Sequence, residues 1–192
     1  QAAMGHPRFA SQRHLVADAA GFMSDTLPTL MLPPDLPRRV VHGDPKISNV
    51  LFNEAGAAVG LIDLDTCNTH SWLVDLGDAV RSWCRNGRED EDEAFHLDRF
   101  EAILRGYAAE GPALTAAEKA CVAGAGRLIT LELASRFARD VLEDDYFAYD
   151  ATRYPDRRAH NLARTHAMLH LAADMATHHD AMQALVHQYL GG

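Results

Sequence analysis

One short polar segment contains the residue types that phosphoryl transfer from a nucleotide requires. It reads His42-Gly43-Asp44-Pro45-Lys46-Ile47-Ser48-Asn49, and after a hydrophobic stretch the chain reaches Ile62-Asp63-Leu64-Asp65. That reaction needs a carboxylate that accepts the proton of the attacking hydroxyl, oxygen ligands that hold Mg²⁺ on the phosphates, and a cation near the transferring phosphate. The segment supplies all of these groups.

The order of these residues assigns a candidate role to each of them. Asp44 lies at the start of a loop and is the candidate base or hydroxyl orienter, while Lys46 lies two residues later and can reach the γ-phosphate. Asn49 precedes one hydrophobic run and Asp63 ends the next, so the two can face each other across a hairpin. Because Mg²⁺ prefers hard oxygen ligands, an amide and a carboxylate suit it.

Some members of the segment have a structural alternative beside the functional interpretation. Asp65 has either a metal or substrate role or a structural one, and Lys46 is otherwise a surface lysine. His42 is expected to brace the loop rather than to take part in the chemistry. For the segment as a whole, the alternative is a solvated turn rich in Asp and Asn.

The elements that must position this segment are a small β region inside a largely helical chain. Residues 39–42, 50–52 and 58–64 are β-prone, and a turn containing Gly56 joins the last two into a predicted hairpin. A helix over residues 7–26 comes earlier, followed by a proline-rich link that begins at Pro28, since proline disfavours helix before it.

Helices are predicted for most of the chain after Trp72. Thr115 with Glu118 three residues later is a capping-box pattern at one helix start, and a Gly-Pro pair at 111–112 ends the helix before it. The predicted helices span residues 73–83, 93–109, 115–142 and 157–190. The fold class is therefore α+β and mostly α-helical.

The loop, the hairpin and the following Asp together resemble the C-terminal lobe of a protein-kinase-like fold. In protein kinases a loop of the form H-R-D-x-x-x-x-N precedes a metal-binding D-F-G. Here Gly43 replaces the Arg and residues 62–65 replace D-F-G, which is similar to the aminoglycoside-phosphotransferase and choline-kinase-like family. That resemblance implies ATP and Mg²⁺, a leading helix and linker over residues 1–38, and a catalytic lobe over 39–192 with the catalytic loop at 42–49.

Further segments extend the resemblance. The run Asp75-Leu76-Gly77-Asp78 follows the metal-binding segment, and in the family such a run packs against the catalytic loop. Asp75 and Asp78 are therefore expected to support that loop, with helix capping as the alternative.

Residues 131–147 and 160–164 resemble the subgroup that contains N-acetylhexosamine 1-kinase. This implies a sugar or amino sugar as acceptor, with Arg136 and Tyr146 lining its pocket. The alternative for that helix is a ladder of ion pairs, because Glu132, Arg136 and Asp140 are spaced four residues apart.

No Gly-rich phosphate loop occurs in the sequence, and only about forty residues precede the catalytic loop. The resemblance implies an N-terminal ATP lobe, which we expect to lie outside this chain as a removed segment or a separate polypeptide, unless it never existed. We accordingly expect these residues alone to bind nucleotide weakly and to be nearly inactive. Apolar surface exposed where that lobe docks would favour self-association.

The bulk composition limits the classes of binding partner and the cellular compartment that we expect. The net charge of −9 and the absence of a basic run argue against nucleic acid, and no apolar run approaches the roughly 18 residues of a membrane span. Three cysteines without a CxxC pair favour a reducing compartment, so a cytoplasmic enzyme is expected. The acidic balance leaves an antibiotic kinase open as a rival, and a non-catalytic kinase-like binding domain is the alternative outside the class.

Overall fold

A computed structural model describes residues 5–191 of the chain as six α-helices and two small antiparallel sheets. The helices are α1 (Phe9–Leu30), α2 (Leu73–Trp83), α3 (Leu97–Glu110), α4 (Ala116–Glu143), α5 (Arg157–Thr177) and α6 (His179–Leu190). The strands are β1 (Arg38–Val41), β2 (Val50–Phe52), β3 (Ala58–Leu61) and β4 (Asn68–Ser71). This is the mostly helical α+β architecture of a kinase-like C-terminal lobe.

The helical part is built around α4, which contacts α1, α2, α5 and α6. The fully buried side chains of the helical part are mainly apolar and include Phe100, Phe137, Leu131, Met168 and Leu171. Gly77 lets α2 lie directly on α4, because a Cβ built there would lie 2.7 Å from the carbonyl oxygen of Ala125. This contact fixes the helix that carries Asp75 and Asp78 against the core.

The two sheets are both two-stranded. β2 pairs with β3 as the predicted hairpin, with Val50 opposite Leu61 and a bulge between Leu51 and Phe52. β1 pairs with β4, which the sequence analysis did not predict. The β4 sequence Asn68-Thr-His-Ser has no apolar alternation, so only its long-range pairing with β1 defines it as a strand.

Two predicted boundaries near the site were wrong. α1 continues through Pro28 to Leu30, because proline in a last turn removes only one hydrogen bond and Leu27 and Leu30 pack against the core. β3 ends at Leu61 rather than at residue 64, because Asp63 adopts a left-handed backbone conformation that a strand cannot continue.

Two later boundaries also differ from the prediction. α3 begins at Leu97 rather than at residue 93, since Phe95 donates its N–H to Asp174 at 2.7 Å instead of entering a helix. The single helix predicted over 157–190 is divided at His178, whose Nδ1 lies 3.0 Å from the carbonyl oxygen of Asp174. The capping box of Thr115 and Glu118 is confirmed. No helix among residues 5–191 is both long and apolar enough to span a membrane.

Candidate active site

The catalytic loop brings three of the predicted site residues together. The ammonium group of Lys46 contacts the Asp44 carboxylate, and Asn49 Nδ2 donates to the Asp44 carbonyl oxygen at 2.9 Å and to Asp44 Oδ2 at 3.3 Å. A short 3₁₀ turn, Ile47–Asn49, leads directly into β2 and buries Asn49. The spacing of two and five residues therefore places a cation and an amide on one carboxylate.

The hairpin carries the chain from Asn49 to Asp63. Val50 pairs with Leu61, and the N–H of Ile62 donates to the carbonyl oxygen of Asn49 at 3.0 Å, so Asp63 follows immediately. Asp63 has φ 66° and ψ 58°, a left-handed conformation that is uncommon outside glycine. Such conformations cluster at functional sites, where the surrounding structure imposes them.

Asp65 lies one short turn further on and is exposed. Among the described residues, no hydrogen bond joins Asp65 to Asp44, Asn49 or Asp63.

Asn49 and Asp63 each carry a hard oxygen atom of the kind that magnesium prefers. Because Asn49 Nδ2 donates to Asp44, the amide Oδ1 is the atom that can ligate a cation. No group of three or more His, Cys, Asp or Glu side chains that could hold a metal occurs in the described part of the chain. Magnesium bound with nucleotide needs only one or two carboxylates, since phosphates and water complete its shell.

Asp75 holds the start of the catalytic loop. This buried carboxylate on α2 accepts the N–H groups of His42 at 2.7 Å and of Gly43 at 2.8 Å. The His42 ring adds a second link: its Nδ1 accepts the N–H of Asp44, so its Nε2 carries the proton that it donates to the Ile62 carbonyl at 3.0 Å. Asp75 and His42 thus connect the loop to the helical core and to the metal-binding segment.

Gly43 lies against Thr66, which directly follows the metal-binding segment. Its φ is 87°, and a Cβ built there would lie 2.6 Å from the carbonyl oxygen of Thr66. The hydroxyl of Thr66 in turn donates to the carbonyl oxygen of His42 at 2.8 Å. A side chain at position 43 would push the catalytic loop away from Thr66.

Asp78 is placed differently from Asp75. It pairs with Arg81 at 2.7 Å inside α2, both side chains are buried, and its Oδ2 atom has no hydrogen-bond partner among the described residues. Burial raises the pKa of Asp78 against the attraction of Arg81, and the charge of Asp44 adds to the rise. Among the described residues, Asp78 thus has its partner Arg81 on its own helix and makes no hydrogen bond to the backbone of the catalytic loop.

Arg136 on α4 and Tyr146 in the loop that follows α4 lie close together. The Arg136 guanidinium is 5.7 Å from the centre of the Tyr146 ring, and its Nε is 4.0 Å from Glu132. Both side chains are exposed, and Arg136 shares a cavity of about 760 Å³ with Gly43 of the catalytic loop. The cavity brings the Arg136 side of the predicted pocket next to the catalytic loop.

The ion-pair ladder predicted as an alternative is incomplete, because Asp140 turns away from it. Buried Asp140 accepts the N–H groups of Asp145, Tyr146 and Phe147, and the Asn161 amide at 2.8 Å. Burial alone would raise the pKa of Asp140, but these four donors outweigh it and hold the pKa below its usual range. Asp140 thus fixes the loop that carries Tyr146.

The sequence analysis missed a group of charged residues on the other side of the catalytic loop. Asp90 accepts from Tyr154 at 2.7 Å, and lies 2.8 Å from Arg153 and 3.2 Å from His160. These residues connect the loop after α2 to the loop before α5. The sequence signal was a cluster of arginines at 81, 85 and 88, followed by five consecutive acidic residues at 89–93.

Fold and site together define a kinase-like C-terminal lobe: a loop that presents the Asp44 carboxylate, a hairpin, and a second Asp at the end of the hairpin. The chain belongs to the phosphotransferase enzyme family, whose model matches residues 3–118. The family resemblance found in the sequence is thereby confirmed.

Curated relatives with similar segments are homoserine kinases. The chain is 39% identical over 90 residues to that of Methylobacterium radiotolerans, a match covering 47% of this chain and 26% of that protein. It is 32% identical over 108 residues to that of Gluconacetobacter diazotrophicus, covering 56% and 32%. It is 41% identical over 76 residues to that of Methylorubrum populi, covering 39% and 22%. The chain thus spans no more than about a third of the length of these relatives.

Proposed function

We propose that this chain provides the catalytic lobe of an ATP- and Mg²⁺-dependent kinase that phosphorylates a hydroxyl group of a small molecule. The observation that carries the proposal is the Asp44 carboxylate, which contacts the Lys46 ammonium and the Asn49 amide on a loop anchored by Asp75. Membership of the phosphotransferase enzyme family supports the same class of reaction.

Asp44 is the group that orients the acceptor hydroxyl and takes its proton. Asn49 Nδ2 and the backbone clamp of Asp75 hold this carboxylate in place, so the loop does not have to reorganise during the reaction. Lys46 forms an ion pair with Asp44, and we propose that it also contacts the transferred phosphate. Because Asp44 is half-buried, an acceptor can still reach it.

Asn49 Oδ1 and the Asp63 carboxylate are the atoms that we propose hold the magnesium ion, with Asp65 as a further candidate. When bound, the ion would neutralise negative charge on the nucleotide phosphates. The left-handed backbone at Asp63 fixes where this carboxylate leaves the hairpin.

Two classes of acceptor follow from different observations. A sugar or amino sugar is supported by Arg136 and Tyr146, since Arg136 lines the cavity that reaches Gly43. A hydroxylated amino acid is supported by the similarity to homoserine kinases. Two other functions would replace both acceptor classes: an aminoglycoside kinase, and a binding domain without catalysis.

The test is ADP release from Mg²⁺-ATP by the gene product that contains this sequence in full. The acceptor panel holds N-acetylhexosamines, hexoses, homoserine, choline-like alcohols and aminoglycosides. Asp44→Asn is the inactive variant, and Asp18→Asn, the same chemical change at an exposed position on α1, is the matched control. Release that requires one acceptor class and disappears only in Asp44→Asn supports the proposal.

Tight Mg²⁺-ATP binding without release for any acceptor would contradict the catalytic proposal and favour a binding domain. Release with aminoglycosides alone would replace the sugar and amino-acid acceptors with an antibiotic.

A further inference from the structure

A second cavity, of about 540 Å³, borders the catalytic loop at Lys46, Ile47 and Ser48. Its walls come from the end of α2, the loop that follows α2, the loop before α5, and α5 itself. Lys46, which contacts the Asp44 carboxylate, lines this cavity, so a molecule bound there lies one side chain away from the proposed catalytic carboxylate. An acceptor that binds in this cavity could therefore extend its hydroxyl group to Asp44.

The lining of this cavity is cationic, although the chain as a whole has a net charge of −9. Six lining residues are cationic and three are acidic when histidine is counted as neutral. The cationic residues are Lys46, Arg81, Arg85, Arg88, Arg153 and Arg164, and the acidic ones are Glu89, Asp90 and Asp150. Positive charge gathered at one cavity of an acidic protein indicates an anionic ligand.

Most of the cationic side chains that line this cavity already have an acidic partner. Arg88 pairs with Asp150 at 3.2 Å, and Arg153 pairs with Asp90 at 2.8 Å. Arg81 lies between Asp78 and Glu89. The structure therefore neutralises these side chains without a ligand.

Arg85 is the exception among the buried arginines of this cavity. It is only 6% exposed, and its Nη2 donates to the carbonyl oxygens of Arg88 and Glu91 at 2.7 and 2.6 Å. Its Nε has no hydrogen-bond partner, and no ion pair of the described residues includes it. A buried guanidinium without an anion is costly, and burial together with the charge of Arg81 lowers the pKa of Arg85.

We propose that this cavity binds an anionic group of the acceptor, so that the enzyme phosphorylates hydroxylated carboxylic acids or hydroxylated phosphate esters in preference to neutral alcohols. The inference rests on the proposed kinase function and names its substrate class. Arg85 supplies the buried charge, since a guanidinium pairs with planar carboxylate and with phosphate oxygens through parallel hydrogen bonds. The acceptor hydroxyl then extends towards Asp44.

The test compares acceptors with and without an anionic group, using the gene product that contains the chain in full. Homoserine is paired with its carboxamide, and glucose is compared with glucuronate and with glucose 6-phosphate. The anionic member is expected to have a kcat/KM at least about tenfold higher, as one charge-assisted contact provides. Preference for glucuronate identifies a carboxylate, and preference for glucose 6-phosphate identifies a phosphate.

Arg85→Met, which removes the charge and keeps the length of the side chain, should remove this preference by raising KM for the anionic member. The ratio of kcat/KM between the anionic and the neutral member of each pair should fall towards one, and Arg13→Met on exposed α1, which should keep the ratio, is the matched control. Equal kcat/KM within every pair for the unmodified protein would overturn the inference, whether or not Arg85→Met folds.

Absence of ADP release with every acceptor would count against the kinase function instead. In that case, calorimetry with the same acceptor pairs tests whether the cavity binds an anionic group. Tighter binding of the anionic member supports the site, and equal binding overturns it.

Discussion

Two buried carboxylates on neighbouring helices each hold a loop that carries proposed site residues. Asp75 on α2 accepts two consecutive backbone N–H groups, those of His42 and Gly43. Asp140 on α4 accepts three consecutive N–H groups, which belong to residues 145–147. In both loops, these groups would otherwise have to be satisfied by water or by a strand partner.

The two carboxylates differ in how far along the chain their hydrogen-bond partners lie. Asp75 holds residues 33 and 32 positions earlier in the chain, so it ties the catalytic loop to the helical core. Asp140 holds residues five to seven positions later, so it closes a turn at the end of its own helix. Loss of Asp75 should therefore affect the chemistry, whereas loss of Asp140 should affect stability and acceptor binding.

Among the substitutions that compare the two loop-holding carboxylates, the largest effect is expected for Asp75→Asn. The amide keeps one acceptor oxygen but presents an NH₂ group to the second backbone N–H, so the loop must shift. We expect kcat to fall about 100-fold, the size of effect that a displacement of about 1 Å produces at a catalytic group. Steady-state kinetics with the preferred acceptor measure it.

For Asp75→Asn, KM for the acceptor should change little, and Asp18→Asn is the control. An unchanged kcat would show that the clamp does not position Asp44.

Asp140→Asn is expected to act on stability first. One carboxylate oxygen serves two N–H groups and the other serves one N–H and the Asn161 amide, so the substitution leaves buried donors without an acceptor. We expect a loss of about 2 kcal/mol in the free energy of unfolding. Denaturant titration measures it.

The same variant separates the two loops functionally. Because the loop at residue 146 is proposed to contact the acceptor, KM should rise while kcat changes by less than the Asp75→Asn effect. A fall in kcat at constant KM would contradict the separation.

Gly43→Ala tests the close approach between the catalytic loop and Thr66. Gly56 is a matched control, since it has φ 76° but nothing within 4 Å of an added Cβ. Both alanine variants should lose about 1 kcal/mol of stability from the left-handed backbone. Only Gly43→Ala should also lose activity, by about tenfold, because only it displaces the loop. Equal activity of the two variants would contradict this account.

A smaller effect is the pH dependence of the Asp140 contribution. The pKa of Asp140 is lower in the folded protein than in the unfolded chain, so its stabilisation is present above about pH 4 and is lost as the pH falls through the folded pKa. The stability difference between the unmodified protein and Asp140→Asn should therefore shrink below about pH 4. Denaturant titrations between pH 3 and 7 measure it, and a constant difference would contradict it.

The grouping of the loop side chains was predictable because the residues lie close together in the sequence. Asp44, Lys46 and Asn49 lie within six positions, and the hairpin that follows has a clear hydrophobic pattern. The long helices were predictable for the same reason, since their apolar faces recur at helical spacing.

Features that depend on distant partners were not predictable. β4 has no strand pattern of its own, and Asp140 has the spacing of a surface ion pair although its partners are backbone N–H groups. The arginine-lined cavity is formed by three segments that are separate in sequence. Local pattern cannot reveal such contacts, because the pattern records only which residues are apolar and how they are spaced.

The central claim is that Asp44 is the catalytic carboxylate, and single-turnover phosphoryl transfer tests it most directly. The gene product that contains the chain is mixed with labelled Mg²⁺-ATP and the preferred acceptor, as unmodified protein, Asp44→Asn and Asp18→Asn. The account predicts that Asp44→Asn slows transfer by roughly 10²–10⁴-fold while Mg²⁺-ATP affinity is retained. Transfer at an unchanged rate in Asp44→Asn would contradict it.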